Sequence, residues 1–262
     1  MRRAHLSANW VMALAILVPG LPALLVNAPI ANAQNAQNDN NLRASVLNAI
    51  KKDEFKNVQA NVKDGIVTLQ GTVKDFATKE ELDKRVHRIK GASGINNIVE
   101  VEGAGQISDQ QIQQEILKQL QYDRVGYGNA FDAITVNVQN GVATMSGHAL
   151  GPVAKDSALA LASRTPGVQD VVDDIQVDPV SPMDWQTRAQ VWRAVYGFPS
   201  LNKYAIDPAQ PIRITVVNGR VILTGVVDSQ ADKNVAGIQA NGVPGVFSVT
   251  NDLQVAGQGE RK

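Results

Sequence analysis

Acid–base, nucleophilic and metal chemistry would have to be built here from few parts: the 262-residue chain has three histidines and no cysteine. His5 falls in an N-terminal targeting segment, which leaves His87 and His148. No His-x-x-x-His or Glu-x-x-His spacing accompanies them, so no transition-metal site is expected. His87 stands among Arg85, Arg88 and Lys90 and reads as part of a solvated helix face. Ser146-Gly147-His148 sets a hydroxyl near an imidazole, but without the sharp strand-to-helix turn that exposes a nucleophile. It reads as the edge of a hairpin. Asp173 and Asp174 are adjacent on a β-rich stretch and point to opposite faces, so they cannot converge as an acid–base pair. No catalytic constellation emerges, and the expectation is a protein that is not an enzyme and needs no cofactor or metal.

Two groups of residues suit binding. Lys79, Lys84, Arg85, Arg88 and Lys90 line one helix and could face anionic headgroups, with Lys84, Arg85, Arg88 and Lys90 as its core. Glu80, Glu81 and Asp83 lie among them, so a solvated, self-balanced helix is the competing reading. Further on, Trp185, Trp192, Tyr196 and Phe198 cluster around another helix, and Trp185 and Trp192, seven apart, share a face. Such stripes are usually buried, so core packing is expected of them; an interfacial contact to lipid or partner is the alternative.

The N-terminus bears on where such a surface would act. Arg2 and Arg3 precede an apolar run from Val11 to about Val26, and Ala31-Asn32-Ala33 offers the small residues a signal peptidase reads. Residues 1–33 are therefore expected to be a signal peptide cleaved before Gln34, giving a soluble periplasmic product. Pro19, Gly20 and Pro22 break the apolar run, which argues against a membrane anchor, and without cysteine no lipid can be attached. Losing Arg2 and Arg3 leaves 23 basic against 25 acidic residues. That near-neutral balance excludes non-specific nucleic-acid binding as a function. Residues 34–41, polar and Asn/Gln-rich, are expected to form a flexible leader.

Beyond them the chain repeats itself. VKDGIVTLQG (Val62–Gly71), VQNGVATMSG (Val138–Gly147) and VVNGRVILTG (Val216–Gly225) each carry two glycines six apart. Asp64-Gly65, Asn140-Gly141 and Asn218-Gly219 are dipeptides that tolerate positive φ at both central positions of a two-residue hairpin turn. A phosphate-cradling loop would need a strand-to-helix turn or a lysine before Ser/Thr, and neither is present. Some twenty residues after each block a glycine opens another β-rich segment, at Gly94, Gly167 and Gly245, with three extra residues in the first copy.

Helices flank the hairpins. Leu42, Val46, Leu47 and Ile50, and then Ile112, Ile116, Leu117 and Leu120, recur at helical spacing. Ser108 with Gln111 and Ser181-Pro182 with Asp184 supply N-terminal caps, while Thr78 with Glu81 and Ser229 with Asp232 are expected to cap the helices after the hairpins. Each copy reads αββαβ: two helices packed on one three-stranded mixed sheet, an α+β fold repeated in tandem. The expected domains are 42–103, 108–178 and 181–256.

The succession helix, V-x-x-G-x-V-x-L-x-G hairpin, helix, then G-V-x-x-V-x-x-x-L-x-V strand is similar to the BON domain, the bacterial module named for osmotic and nodulation proteins. Gly65, Val67, Leu69 and Gly71 carry the resemblance in the first copy, Gly141 and Gly147 in the second, and Gly219, Val221, Leu223 and Gly225 in the third. Insertions at Tyr122–Ala133 and Tyr196–Ile212 depart from the pattern. The resemblance implies an envelope protein binding anionic phospholipid or membrane surface under osmotic or envelope stress. A structural or chaperone-like role through contacts with envelope proteins is the alternative. Leu42–Glu102 carries 11 basic and 9 acidic residues, Ser108–Asp178 has 4 and 9, and Ser181–Gly257 has 6 and 5. The first copy is therefore the better candidate for an anionic surface.

Overall fold

The computed structural model describes residues 28–123, 130–179, 181–206 and 211–257, with side chains from residue 35 onward. The first domain runs α1 (Ala28–Ala49), β1 (Val58–Lys63), β2 (Ile66–Val73), α2 (Phe76–His87), β3 (Gly94–Asn97) and β4 (Glu100–Val101). The second has α3 (Asp109–Tyr122), β5 (Ala133–Gln139), β6 (Val142–Ala149), α4 (Pro152–Arg164) and β7 (Asp170–Val177). The third has α5 (Pro182–Tyr196), α6 (Lys203–Ile206), β8 (Arg213–Val217), β9 (Arg220–Thr224), β10 (Val226–Val227), α7 (Gln230–Asn241), β11 (Ser248–Asn251) and β12 (Gln254–Val255). In every domain the central strand pairs antiparallel with its hairpin partner and parallel with the strand that follows the helix after the hairpin: β3 in the first domain, β7 in the second and β11 in the third.

Alternation explains which face of each sheet is covered. In the first domain Val58, Ala60, Val67 and Leu69 point inward beneath Leu42 and Val46 of α1, Ile50 just past its end, and Leu82 and Val86 of α2. Gln59, Asn61 and Gln70 point to solvent. Each large apolar side chain so buried contributes about 1.5–3 kcal/mol relative to exposure. Leu47 departs from its expected place and lies exposed on α1.

The hairpin turns take the expected primed form. Asp64, Asn140 and Asn218 all have φ of 52°, and Gly65, Gly141 and Gly219 follow at 76°, 74° and 72°. Replacing Gly141 with Val would set a β-branched residue at positive φ and should cost about 1–3 kcal/mol. Thermal melts of this variant and of the matching Gly65 and Gly219 variants should fall together.

Three expectations need correction. Residues 34–41 are not an irregular leader: they lie inside α1. Asp39 anchors that stretch by accepting hydrogen bonds from the Asp64 and Gly65 amides at 2.7 and 2.8 Å. The cap of α2 is Asp75, not Thr78, because the Asp75 carboxylate already accepts from the Thr78 amide at 2.9 Å and leaves Thr78 inside the first turn. Finally, the first copy has no three extra residues. The glycine equivalent to Gly167 and Gly245 is Gly91: all three have positive φ, at 100°, 87° and 88°. Two residues on, Ser93, Gln169 and Phe247 donate their amides to the turn carbonyls of Gly65, Gly141 and Gly219. Gly94 lies within β3 instead. Ser108, Ser181 and Ser229 cap as expected.

Candidate functional site

None of the residues that suggested catalysis converge. His87 is exposed, its Nδ1 2.9 Å from the Asp83 carbonyl one turn back. Asp173 accepts from the Ile175 amide and meets Lys155 at 2.8 Å, and that ammonium holds its carboxyl below the usual carboxylate range. Ser146 turns toward Thr135 on the neighbouring strand, with the two hydroxyl oxygens 2.9 Å apart. Among the described residues no cluster of three or more histidines and carboxylates could hold a metal ion.

The basic stretch of α2 divides into two parts. Lys84 sits 3.7 Å from Glu80 and lines a cleft between α2 and α4. Arg85 is bound at 2.7 Å to Glu81, reaches Glu54, and lies over the Phe55 ring at 5.6 Å. Its charge is spent within the domain. Arg88 and Lys90, past the helix end, are exposed and make no ion pair with any described residue. Because the Ser93 amide returns to the Gly65 carbonyl at 2.8 Å, this segment ends beside the hairpin turn. The basic residues are therefore near one another in the fold but unequal in availability.

The aromatic group of α5 does not form the expected core stripe. Tyr196 is buried, its hydroxyl donating to the Ile212 carbonyl at 2.7 Å, and burial pushes its pKa well up. Trp192 is 40% exposed with its ring against Tyr196. Trp185 is only half-buried, 6.0 Å from Phe131 of the preceding domain. The seven-residue spacing does place the tryptophans along one helix, but the apolar seam of α5 runs through Val191 and Val195 instead.

Two polar devices escaped sequence reasoning. The first recurs in every domain: Asp39, Asp109 and Asp184 each accept from both amides of their hairpin turn, at 2.7 to 2.9 Å. A carboxylate with two amide donors is a charge-assisted pair, stronger than neutral hydrogen bonds. An Asp in the first turn of α3 and of α5 was the available signal, whereas Asp39 lies midway along α1. The second lies at the junction of the second and third domains. Asp178 bridges His148 at 2.9 Å and Arg188 at 2.6 Å, and Arg188 also donates to the Val216 carbonyl. The Asp178 and Arg188 side chains are each 1% exposed. Beside them Phe131 enters the core of the third domain, and the Ile214 amide of β8 donates to the Ala130 carbonyl. Burial at this junction pushes the Asp132 carboxyl up and the Arg213 guanidinium down.

The sequence model of the BON domain family matches residues 38–103, 108–179 and 200–257. The chain belongs to the BON domain family. Its domains as a class are non-catalytic and are associated with phospholipid and envelope binding. The third match begins after α5, yet α5 packs on β8 as the first helix of each other domain packs on its own hairpin. Two solved structures are similar at 17% identity. Both are of CdsD, a structural protein of the Type III secretion system of Chlamydia trachomatis, one being its C-terminal domain. They cover 81% and 82% of this chain and 96% and 92% of their own, with a TM-score of 0.22 in each case. At that score the likeness carries no argument. No curated protein matches the chain.

Proposed function

We propose that this is an exported, non-enzymatic binding protein of the periplasm that contacts anionic phospholipid at a membrane surface during osmotic or envelope stress. The observation that carries the reading is the end of α2, where Arg88 and Lys90 stand exposed beside a hairpin turn whose Asp39 carboxylate is already engaged by two amides. Family membership supports it, since BON domains are associated with such ligands. Arg2, Arg3 and the Ala31-Asn32-Ala33 segment support export. No helix among the described residues is long and apolar enough to cross a membrane.

Each basic residue near an anionic surface contributes about 1 kcal/mol. Changing Lys84, Arg88 and Lys90 to Glu should therefore weaken co-sedimentation with phosphatidylglycerol vesicles at least about tenfold. The fold should survive, because surface changes of this kind rarely cost much stability. Wild-type binding should also fall as salt rises. Equal binding to phosphatidylcholine vesicles, or none to either, would favour protein contacts in the envelope instead.

A further inference from the structure

Aligning the domains on Gly91, Gly167 and Gly245 places corresponding residues side by side. Seven residues before that glycine stand Lys84, Ala160 and Ile238; one before it, Lys90, Pro166 and Pro244; two after it, Ser93, Gln169 and Phe247. The face that is cationic in the first domain is apolar in the third. Phe247 is 88% exposed and Ile238 67% exposed. Pro244 is exposed between them in sequence, and Ile238 and Pro244 line one groove with Arg193. Met183, also exposed, precedes the Asp184 that holds the adjoining turn. An aromatic ring left in water at a position that is polar in both sister domains is not explained by packing, since Phe247 is neither in the third domain's core nor packed against it.

Charge selects the occupant. Arg193 and Arg220 flank this end of the domain and are exposed, without a carboxylate partner among the described residues. Asp184, the acid at this turn, is taken up by the Asn218 and Gly219 amides at 2.9 and 2.8 Å. Apolar side chains projecting between unpaired cations match an anionic bilayer interface, where rings enter the headgroup boundary and arginines meet phosphates.

We propose that the α7–β11 corner of the third domain, led by Phe247 and Ile238, inserts into an anionic membrane interface as a second point of contact. This rests on the membrane reading above but uses a different domain and a different force. Electrostatic attraction at α2 weakens with salt, whereas apolar insertion persists.

Because the chain has no cysteine, a single introduced one can be labelled alone. Full-length Phe247→Cys and Gln169→Cys proteins, each carrying an NBD fluorophore, would be titrated with equimolar phosphatidylglycerol–phosphatidylcholine vesicles. Co-sedimentation would be measured in parallel at low and high salt. The proposal expects blue-shifted, brightened emission at position 247 and little change at 169. It also expects an unlabelled Phe247→Ser, Ile238→Ser protein to lose about tenfold or more of the high-salt binding. Co-sedimentation without a shift at 247 would overturn the insertion and leave the α2 contact standing. Absence of co-sedimentation would overturn both. A shift that grows with protein concentration in the absence of vesicles would overturn it in favour of a second copy docking on the patch.

Discussion

Replacing Asp178 with Ala should destabilise the unit formed by the second and third domains by about 3–5 kcal/mol, the cost of breaking a buried ion pair from one side. The carboxylate is the only ionic partner the buried Arg188 guanidinium has in the described structure, and Arg188 Nε already lacks a hydrogen-bond partner. Without Asp178 the charge keeps a single carbonyl, that of Val216. Chemical denaturation would show the loss as a lowered midpoint. The double variant Asp178→Ala, Arg188→Met should recover much of it, since removing both charges together avoids stranding either. If the single variant melts like wild type, the junction is not held through this pair.

A loss of similar size is expected at the second glycine of each hairpin block. Gly71, Gly147 and Gly225 sit at φ of 121°, 105° and 128°. A Cβ on them would come within 2.1, 2.1 and 2.6 Å of the Asn57, Ala133 and Pro211 carbonyl oxygens. Those oxygens belong to the backbone and cannot swing aside. At Gly141, by contrast, the obstacle is the flexible end of the Gln169 side chain. Backbone strain of about 1–3 kcal/mol therefore adds to a clash of similar size, and Gly147→Ala should cost about 3–5 kcal/mol despite the small substituent. Calorimetry should rank Gly147→Ala below Gly141→Ala by a clear margin, and equal melting would refute the close approach.

The hairpins were legible because turn chemistry is local: an Asn-Gly or Asp-Gly pair between alternating apolar runs admits few other structures. Membership in the BON family and the α+β repeat followed from the same residues. The role of Gly71 was not legible, because it depends on a carbonyl fourteen residues earlier that only the folded sheet brings close. The Thr78 cap failed because Asp75, a stronger acceptor, stood three residues upstream. Trp185 and Trp192 failed because a helix buries whatever faces its sheet, and seven-residue spacing shows only that two residues share a side. For the basic residues in and just after α2, position was legible but pairing was not, and pairing is what separates Arg85 from Arg88. The apolar corner at Phe247 was hidden by aligning the first copy on Gly94 instead of Gly91.

The aspartate that grips each hairpin turn also bears on the order in which the chain acquires structure. Its partners lie 25 and 26 residues downstream in the first domain, 31 and 32 in the second, and 34 and 35 in the third. Loops of that length close at an entropic cost that grows only slowly with size. Local contacts of this kind favour fast folding. A chain that emerges N-terminus first can thus join helix to hairpin within one repeat before the next repeat has appeared. The Asp178 junction, in contrast, can form only once both neighbours are present, so assembly of the second domain with the third is the later event.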